Sequence, residues 1–233
     1  QPTGANYCQN EGAILLSVDI NGTSLTYQWF SNTSNSNSGG TLISGATSST
    51  YLPSTATLGT AYYYCVVTGG FGTISSNVAI VTVINTVAGT ASSDQTICKD
   101  NTPADLSLSG NTGNVVKWQK STDFEFTTPI DIASTSTTLT SALIGTLSST
   151  TYFRAVVQNE TCSIQNSNVV TITVPYSTWN GTAWTNGVPT IATTVTFTGN
   201  YTATTDMFAC SLHVTNNSNV VINSGFDYNV YGK

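Results

Sequence analysis

The chain has 233 residues, only 7% of them charged, with a net charge of −6 and a pI near 4.3. Its five cations, Lys99, Lys117, Lys120, Arg154 and Lys233, cannot assemble a phosphate-tracking surface, which excludes nucleic acid as a partner. The longest apolar runs, Val78 to Ile84 and Val169 to Val174, are strand length and broken by Thr, so no membrane insertion is expected.

The chain is a tandem repeat. Cys8, Trp29 and Tyr62-Tyr63-Tyr64-Cys65 are followed by Cys98, Trp118 and Tyr152-Phe153-Arg154-Ala155, and Ser76-Asn77-Val78 aligns with Ser167-Asn168-Val169. A buried Trp early, an aromatic strand late and a closing Val-rich strand indicate small β-sandwiches. The expected modules are residues 1–86, 87–175 and 176–233. β-Branched residues dominate the alternating stretches and no helix is expected.

In the first module Ile14, Leu16, Val18 and Ile20 alternate and are expected on one core face, and Leu25, Tyr27 and Trp29 continue after a turn at Asn21-Gly22. Ser31 to Gly40 reads as a loop. Leu42-Ile43 and Tyr51-Leu52 read as short strands, Tyr62 to Val67 as the aromatic strand and Val78 to Ile84 as the closing strand. The second module repeats this order with Leu106 to Leu108, Val115 to Trp118, Ile130 to Ile132, Leu139 to Leu143, Tyr152 to Val157 and Val169 to Val174. Trp29 and Trp118 are the expected core anchors. The last segment shows short strands at Val195 to Phe197, Leu212 to Val214, Val220 to Ile222 and Phe226 to Val230, spaced like β-solenoid rungs or a small sandwich. Its 58 residues make a thin core, which suits the start of a longer domain. No basic-then-apolar leader precedes Gln1, as expected of a processed chain or a piece of a longer one.

Five cysteines in such a chain imply an oxidising compartment and two bridges with one thiol left over. The expected pairs are Cys8 with Cys65 and Cys98 with Cys162. Cys210, between Phe208 and Leu212 on one period-two face, is expected as a buried thiol, with an intermolecular bridge as the alternative.

Little here can carry chemistry. The single histidine, His213, sits in a strand pattern with no nucleophile motif beside it, so no catalytic residue is assigned and no enzyme is expected. Asp123, Glu125 and Asp131 form the one local acidic group that invites calcium, but the spacing is not that of an EF-hand. Asp94, Asp100 and Asp105 read as solvated charge. No metal or cofactor is expected. Trp179 and Trp184 are the candidates for a sugar-stacking platform, against a hairpin packed on its own core. Tyr62 and Tyr64 alternate with Tyr63 and are candidate contact residues, with Tyr63 expected to make a corner hydrogen bond to the backbone. The sequons at Asn21, Asn32, Asn159, Asn180, Asn200 and Asn216 mark turn-compatible positions.

The first module, with Tyr27-Gln28-Trp29, Asn37-Ser38-Gly39-Gly40, Ile43 to Ser48 and Tyr62 to Thr68, resembles the Ig-like repeats of large adhesins of gliding bacteria, the SprB-like kind exported by the type IX secretion system. The second, with Val115 to Trp118, Ser121-Thr122-Asp123, Thr151 to Val157 and Ser167 to Val170, is similar to a sister repeat. Thr178 to Trp184 is similar to a motif that follows such repeats. The resemblance implies an all-β fold of tandem Ig-like β-sandwiches followed by a smaller β-solenoid-like or partial-sandwich module. It also implies an extracellular, cell-surface location and a spacer and adhesive role, with gliding motility as its setting. The partners it implies are surface glycans or other extracellular polymers and the secretion machinery. Two other roles are kept: a noncatalytic carbohydrate-binding appendage of a secreted polysaccharide-degrading enzyme, and a self-associating filament subunit built through sheet edges.

Overall fold

The computed structural model describes residues 1–215 and 217–231; the sequon at Asn216 and the cation Lys233 lie outside them. The protein is nearly all β. It divides into two compact units, Gln1–Thr86 with Gln158–Ile164, and Val87–Val157 with Gln165–Lys233.

In the first unit the main sheet runs in the order Asn6–Cys8, Ala79–Ile84, Gly59–Gly69, Thr26–Asn32, Thr41–Leu42, with Gly72–Ser75 hairpinned onto Gly59–Gly69. A two-stranded layer, Leu16–Ser17 with Thr50–Tyr51, closes the sandwich. Trp29 lies fully buried between the layers against Leu16, Val18, Tyr63, Cys65 and Val81. Its indole N–H donates to the Ser48 carbonyl at 2.9 Å, so the one polar atom of the anchor is satisfied inside the core. The expected four-residue apolar face of the second strand is shorter in the structure. Leu16 and Val18 are buried, but Ile14 is 72% exposed, because the chain joins the sandwich only at Leu16–Ser17.

The second unit repeats the plan. Its main sheet runs Gln95–Thr96, Val170–Thr173, Thr151–Gln158, Asn114–Ser121, Ile130–Ile132, faced by Thr138–Leu139, Leu106–Ser109 and Thr90–Ala91. Trp118 is fully buried and its indole donates to the Ser136 carbonyl at 2.9 Å. The repeated Ser-Asn motif also has a physical reason. Ser76 Oγ accepts the Cys65 N–H and donates to the Asn77 carbonyl, and Ser167 Oγ does the same for Ala155 and Asn168. The stretch expected as a strand from Leu139 to Leu143 instead ends at Leu139 and forms a single helical turn, Ser141–Ile144. The Asp105 carboxylate accepts the Ser141 N–H and Ile144 is buried, which together hold the turn against strand pairing.

Within the same unit, Tyr176–Trp179, Thr194–Phe197 and Ser211–Val214 form a parallel sheet. Tyr201–Ala203 pairs parallel with Val220–Ile222, and Met207–Ala209 with Tyr228–Val230. Three parallel sheets joined by short corners are the coils of a β-solenoid, around a core of Val195, Phe197, Met207 and Ala209.

The cysteines pair otherwise than expected. Cys8 is bonded to Cys162 and Cys98 to Cys210, while Cys65 is a free, buried thiol. Strand direction explains both corrections. The strand Asn6–Cys8 runs parallel to the closing strand, with Cys8 beside Ile84, so Cys8 lies at the exit end of its sandwich. Cys65, paired across from Trp29, lies two strands from Cys8 and about seven residues along, more than roughly 20 Å off and far beyond disulfide reach. Gln95–Thr96 runs parallel to Val170–Thr173 in the same way, which carries Cys98 to the exit end of the second sandwich, where Cys210 meets it. Each first cysteine therefore bonds forward, to a cysteine of the module that follows in the sequence. In the chain-entropy view each bridge contributes about 5 kcal/mol, not additively because the loops interlock.

Candidate functional site

The two candidate aromatics of the third segment face each other across a tight hairpin, with Trp179 bridged to Trp184. Asn180 shapes the turn, its side-chain oxygen accepting the N–H groups of Thr182 and Ala183, both at 2.9 Å. The rings meet edge to face, 5.4 Å apart at 60°; Trp179 packs on Tyr201 and Trp184 on Phe197 in the same manner. The Trp179 indole donates to the Asn200 carbonyl at 2.9 Å. Both rings are half-buried, packed edge to face on one another and against the solenoid core.

Tyr64 is also removed from ligand contact. It is 3% exposed, stacked on Phe30 at 5.2 Å, and its hydroxyl accepts the Gly40 N–H at 3.1 Å. A Cβ on Gly40 would stand 2.7 Å from the Ser31 carbonyl, so glycine is required where that loop closes over the ring. The backbone bond expected of Tyr63 is thus made by Tyr64, and Tyr63 packs in the core against Tyr51. Tyr62 is half-buried in the strand opposite Asn32 and Ile80.

The acidic group is occupied by its own loop. Asp123 accepts the Glu125 and Thr127 N–H groups and the Thr127 hydroxyl, and these bonds, the hydroxyl's first, hold its carboxyl below the usual range. Asp131 is lowered chiefly by the Lys117 ammonium at 2.7 Å and then by the Gln119 amide. Asp94 and Asp105 accept the Thr171 and Ser141 N–H groups. Among the described residues no three acidic, His or Cys groups converge as metal ligands. His213 is exposed and lies beside Thr196 of the neighbouring strand.

A site that sequence reasoning missed lies in the second unit. A cleft of about 440 Å³ is lined by Lys99, Ser148, Thr150, Tyr176, Thr194 and Thr196. A second of about 370 Å³ is lined by Lys120, Ser121, Thr128, Ile130 and Thr151, and both share Thr122, Ser148 and Ser149. In the larger cleft one wall is sandwich and the other is the outer face of the solenoid sheet, fastened by the Cys98–Cys210 bond one residue from Lys99, while the smaller cleft continues along the sandwich wall. Tyr176 is 64% exposed. No carboxylate lines either cleft. Of the other described side-chain cations, Lys117 is paired with Asp131, and Arg154 lies 4.1 Å over the Phe126 ring and donates to Gln119. A charge census was the available signal, since an acidic chain with so few cations has few places to gather two of them.

Fold and site together define a tandem array of Ig-like β-sandwiches leading into a β-solenoid, crosslinked by two disulfides. The chain belongs to the family described as Domain of unknown function (DUF8696), which matches residues 3–85 and 87–176. No curated protein matches it. Among solved structures it is similar to the insect immune protein hemolin, at 13% identity and a TM-score of 0.43, over 74% of this chain and 48% of that one. It is similar to Sidekick-1 immunoglobulin domains 1–5, at 16% and 0.37, over 73% and 36%. It is also similar to SGBP-B of the Bacteroides ovatus mixed-linkage glucan utilization locus, solved with a mixed-linkage heptasaccharide, at 15% and 0.29, over 87% and 47%. The chain spans less than half the length of each of these three.

Proposed function

We propose that the chain is a segment of an extracellular surface repeat protein, in which the Ig-like modules are spacers that present binding faces and carry out no catalytic turnover. The observation that carries this reading is the forward bonding of each repeat's first cysteine, Cys8 to Cys162 and Cys98 to Cys210. A covalently interlocked array with a hydroxyl-rich, ion-poor skin suits a chain that must resist proteolysis and pulling in an oxidising, extracellular setting. The SprB-like resemblance refines the reading to an adhesin of gliding cells exported by the type IX secretion system. A chain with one histidine and 7% charged residues holds little with which to build a catalytic site, which supports the lack of turnover.

Immunolabelling of intact producing cells with an antibody against residues 1–175 tests it. Label held on the cell surface, and carried along the cell, is the expected result. Label found only in the culture fluid refutes surface display and favours a secreted appendage.

A further inference from the structure

We infer that the paired clefts of the second unit are a binding groove for an acidic polysaccharide, a chain of sugars bearing carboxylate or sulfate. The inference rests on the reading of the chain as an extracellular binding segment and supplies that segment's ligand.

Three features of the groove select this chemistry. The first is charge. The protein carries eleven carboxylates, yet none lines either cleft, while Lys99 and Lys120 do. Neither lysine makes an ion pair or a cation–π contact among the described residues, whereas Lys117 and Arg154 are both engaged. A local positive spot on an acidic molecule attracts an anion that the rest of the surface repels.

The second feature is hydrogen bonding. Ser148, Ser149 and Thr150 line one side, and Thr194 and Thr196 the other. A hydroxyl both donates and accepts, so it matches the alternating donors and acceptors of a sugar edge in any local orientation. The register of the parallel sheet extends this surface in rows, Tyr176 beside Thr194 beside Ser211, and Thr178 beside Thr196 beside His213. Within each row the side chains repeat along the solenoid at the strand spacing of about 4.8 Å, close to the length of one sugar residue.

The third feature is the exposed ring of Tyr176 at the mouth of the larger cleft, an apolar face with a polar edge, of the kind that receives the C–H face of a pyranose. The Trp179 and Trp184 rings are half-buried in the aromatic cluster of the solenoid. An extended acidic glycan laid along the groove would set its anionic groups at Lys99 and Lys120, with its hydroxyls on the Ser and Thr rows and one ring on Tyr176.

Affinity electrophoresis of the whole chain through gels containing polygalacturonate, dextran sulfate or neutral dextran tests the assignment. Polygalacturonate or dextran sulfate should retard the protein, with dextran leaving it unretarded, and which of the two acts identifies the anionic group as carboxylate or sulfate. The double variant Lys99→Gln with Lys120→Gln should bind at least tenfold more weakly, and Tyr176→Ala several-fold more weakly. Lys117→Gln, outside the groove, should bind as the wild type does. All three alter exposed or half-exposed side chains, and circular dichroism and thermal melting confirm that they fold. Retardation by neither acidic polymer, equal retardation by dextran, or unchanged binding in the double variant overturns the assignment. None of those results touches the cell-surface labelling, so loss of the ligand and loss of the surface role are separately visible.

Discussion

Pulling the unfolded chain from its two ends gives a length that depends on which cysteines are joined. Cys8–Cys162 spans 154 residues and Cys98–Cys210 spans 112, and the loops interlock because Cys98 lies inside the first loop and Cys210 outside it. In the oxidised chain the load takes the shortest covalent route, from the N-terminus to Cys8, across to Cys162 and on to the C-terminus. The first bridge alone therefore sets the taut length, and the second hangs on an unloaded loop. Removing Cys98–Cys210 by serine substitution should leave the taut length unchanged. Removing Cys8–Cys162 makes the load cross at Cys98–Cys210 instead. That bridge hides 42 fewer residues (154 − 112), so the chain should lengthen by on the order of 150 Å at about 3.5 Å per residue. Reducing both should lengthen it by roughly 530 Å. Optical-tweezers stretching of the wild type, the two paired-serine variants and the reduced protein resolves these differences. Pairing within each repeat, Cys8 with Cys65 and Cys98 with Cys162, would instead lengthen the Cys98→Ser, Cys210→Ser variant by roughly 220 Å, and the Cys8→Ser, Cys162→Ser variant, which then loses both bridges, by roughly 420 Å. An extension of that size in the Cys98→Ser, Cys210→Ser variant refutes the forward connectivity.

Four smaller predictions follow from single side chains. Cys65 is fully buried and burial pushes its thiol above the ordinary range, so a thiol reagent should find one reactive group per chain in denaturant and none in the native protein. The Tyr228 hydroxyl is buried with no hydrogen-bond partner among the described residues, and burial followed by the nearby Tyr201 pushes its pKa up to about 12. Tyr228→Phe should accordingly stabilise the solenoid by about 1 kcal/mol, read as a raised melting temperature. Trp184→Ala should destabilise the solenoid by roughly 3 kcal/mol by opening the aromatic cluster, and should do so without any glycan present. Lys117→Ala should raise the Asp131 pKa toward the ordinary carboxylate value in an NMR titration. Because the folded pKa is depressed, the stability this pair adds is present above the unfolded pKa near 4 and is lost as pH falls through the folded value.

The parts of the fold that were legible in the sequence are those fixed by local pattern. Period-two alternation around Trp29 and Trp118, and the Ser-Asn-Val motif after each aromatic strand, recur because each marks a bond or a burial made within a few residues or to the adjacent strand. Short strands at regular spacing likewise left solenoid rungs or a small sandwich open, and the parallel pairing that distinguishes them cannot be read from any single strand. The reading failed where a strand's edge mattered more than its pattern. Ile14 continues the alternation perfectly and is exposed, because alternation shows that residues share a face and does not show where the partner strand ends.

The disulfide pairing was illegible for a related reason, and the groove went unseen with it. Each repeat's aromatic strand offered a position for a conventional internal bridge, filled by Cys65 in the first and left as Ala155 in the second. That asymmetry already argued against an internal bridge as the repeated device, whereas Cys8 and Cys98 recur in both copies. Their partners depend on the parallel pairing of the first strand with the last, a long-range choice with no local signature. Once that choice is made, Cys98 must stand at the sandwich exit, and its bond to Cys210 draws Lys99 beside Thr194 and Thr196, almost a hundred residues away. A site assembled by a crosslink is invisible to any reading that joins the cysteines differently. If Cys98→Ser, Cys210→Ser leaves the modules folded but weakens retardation by an acidic polysaccharide as much as the lysine double variant does, the bridge is what holds the two walls of the groove in place. Undiminished binding in that variant would mean that the walls are held by packing alone.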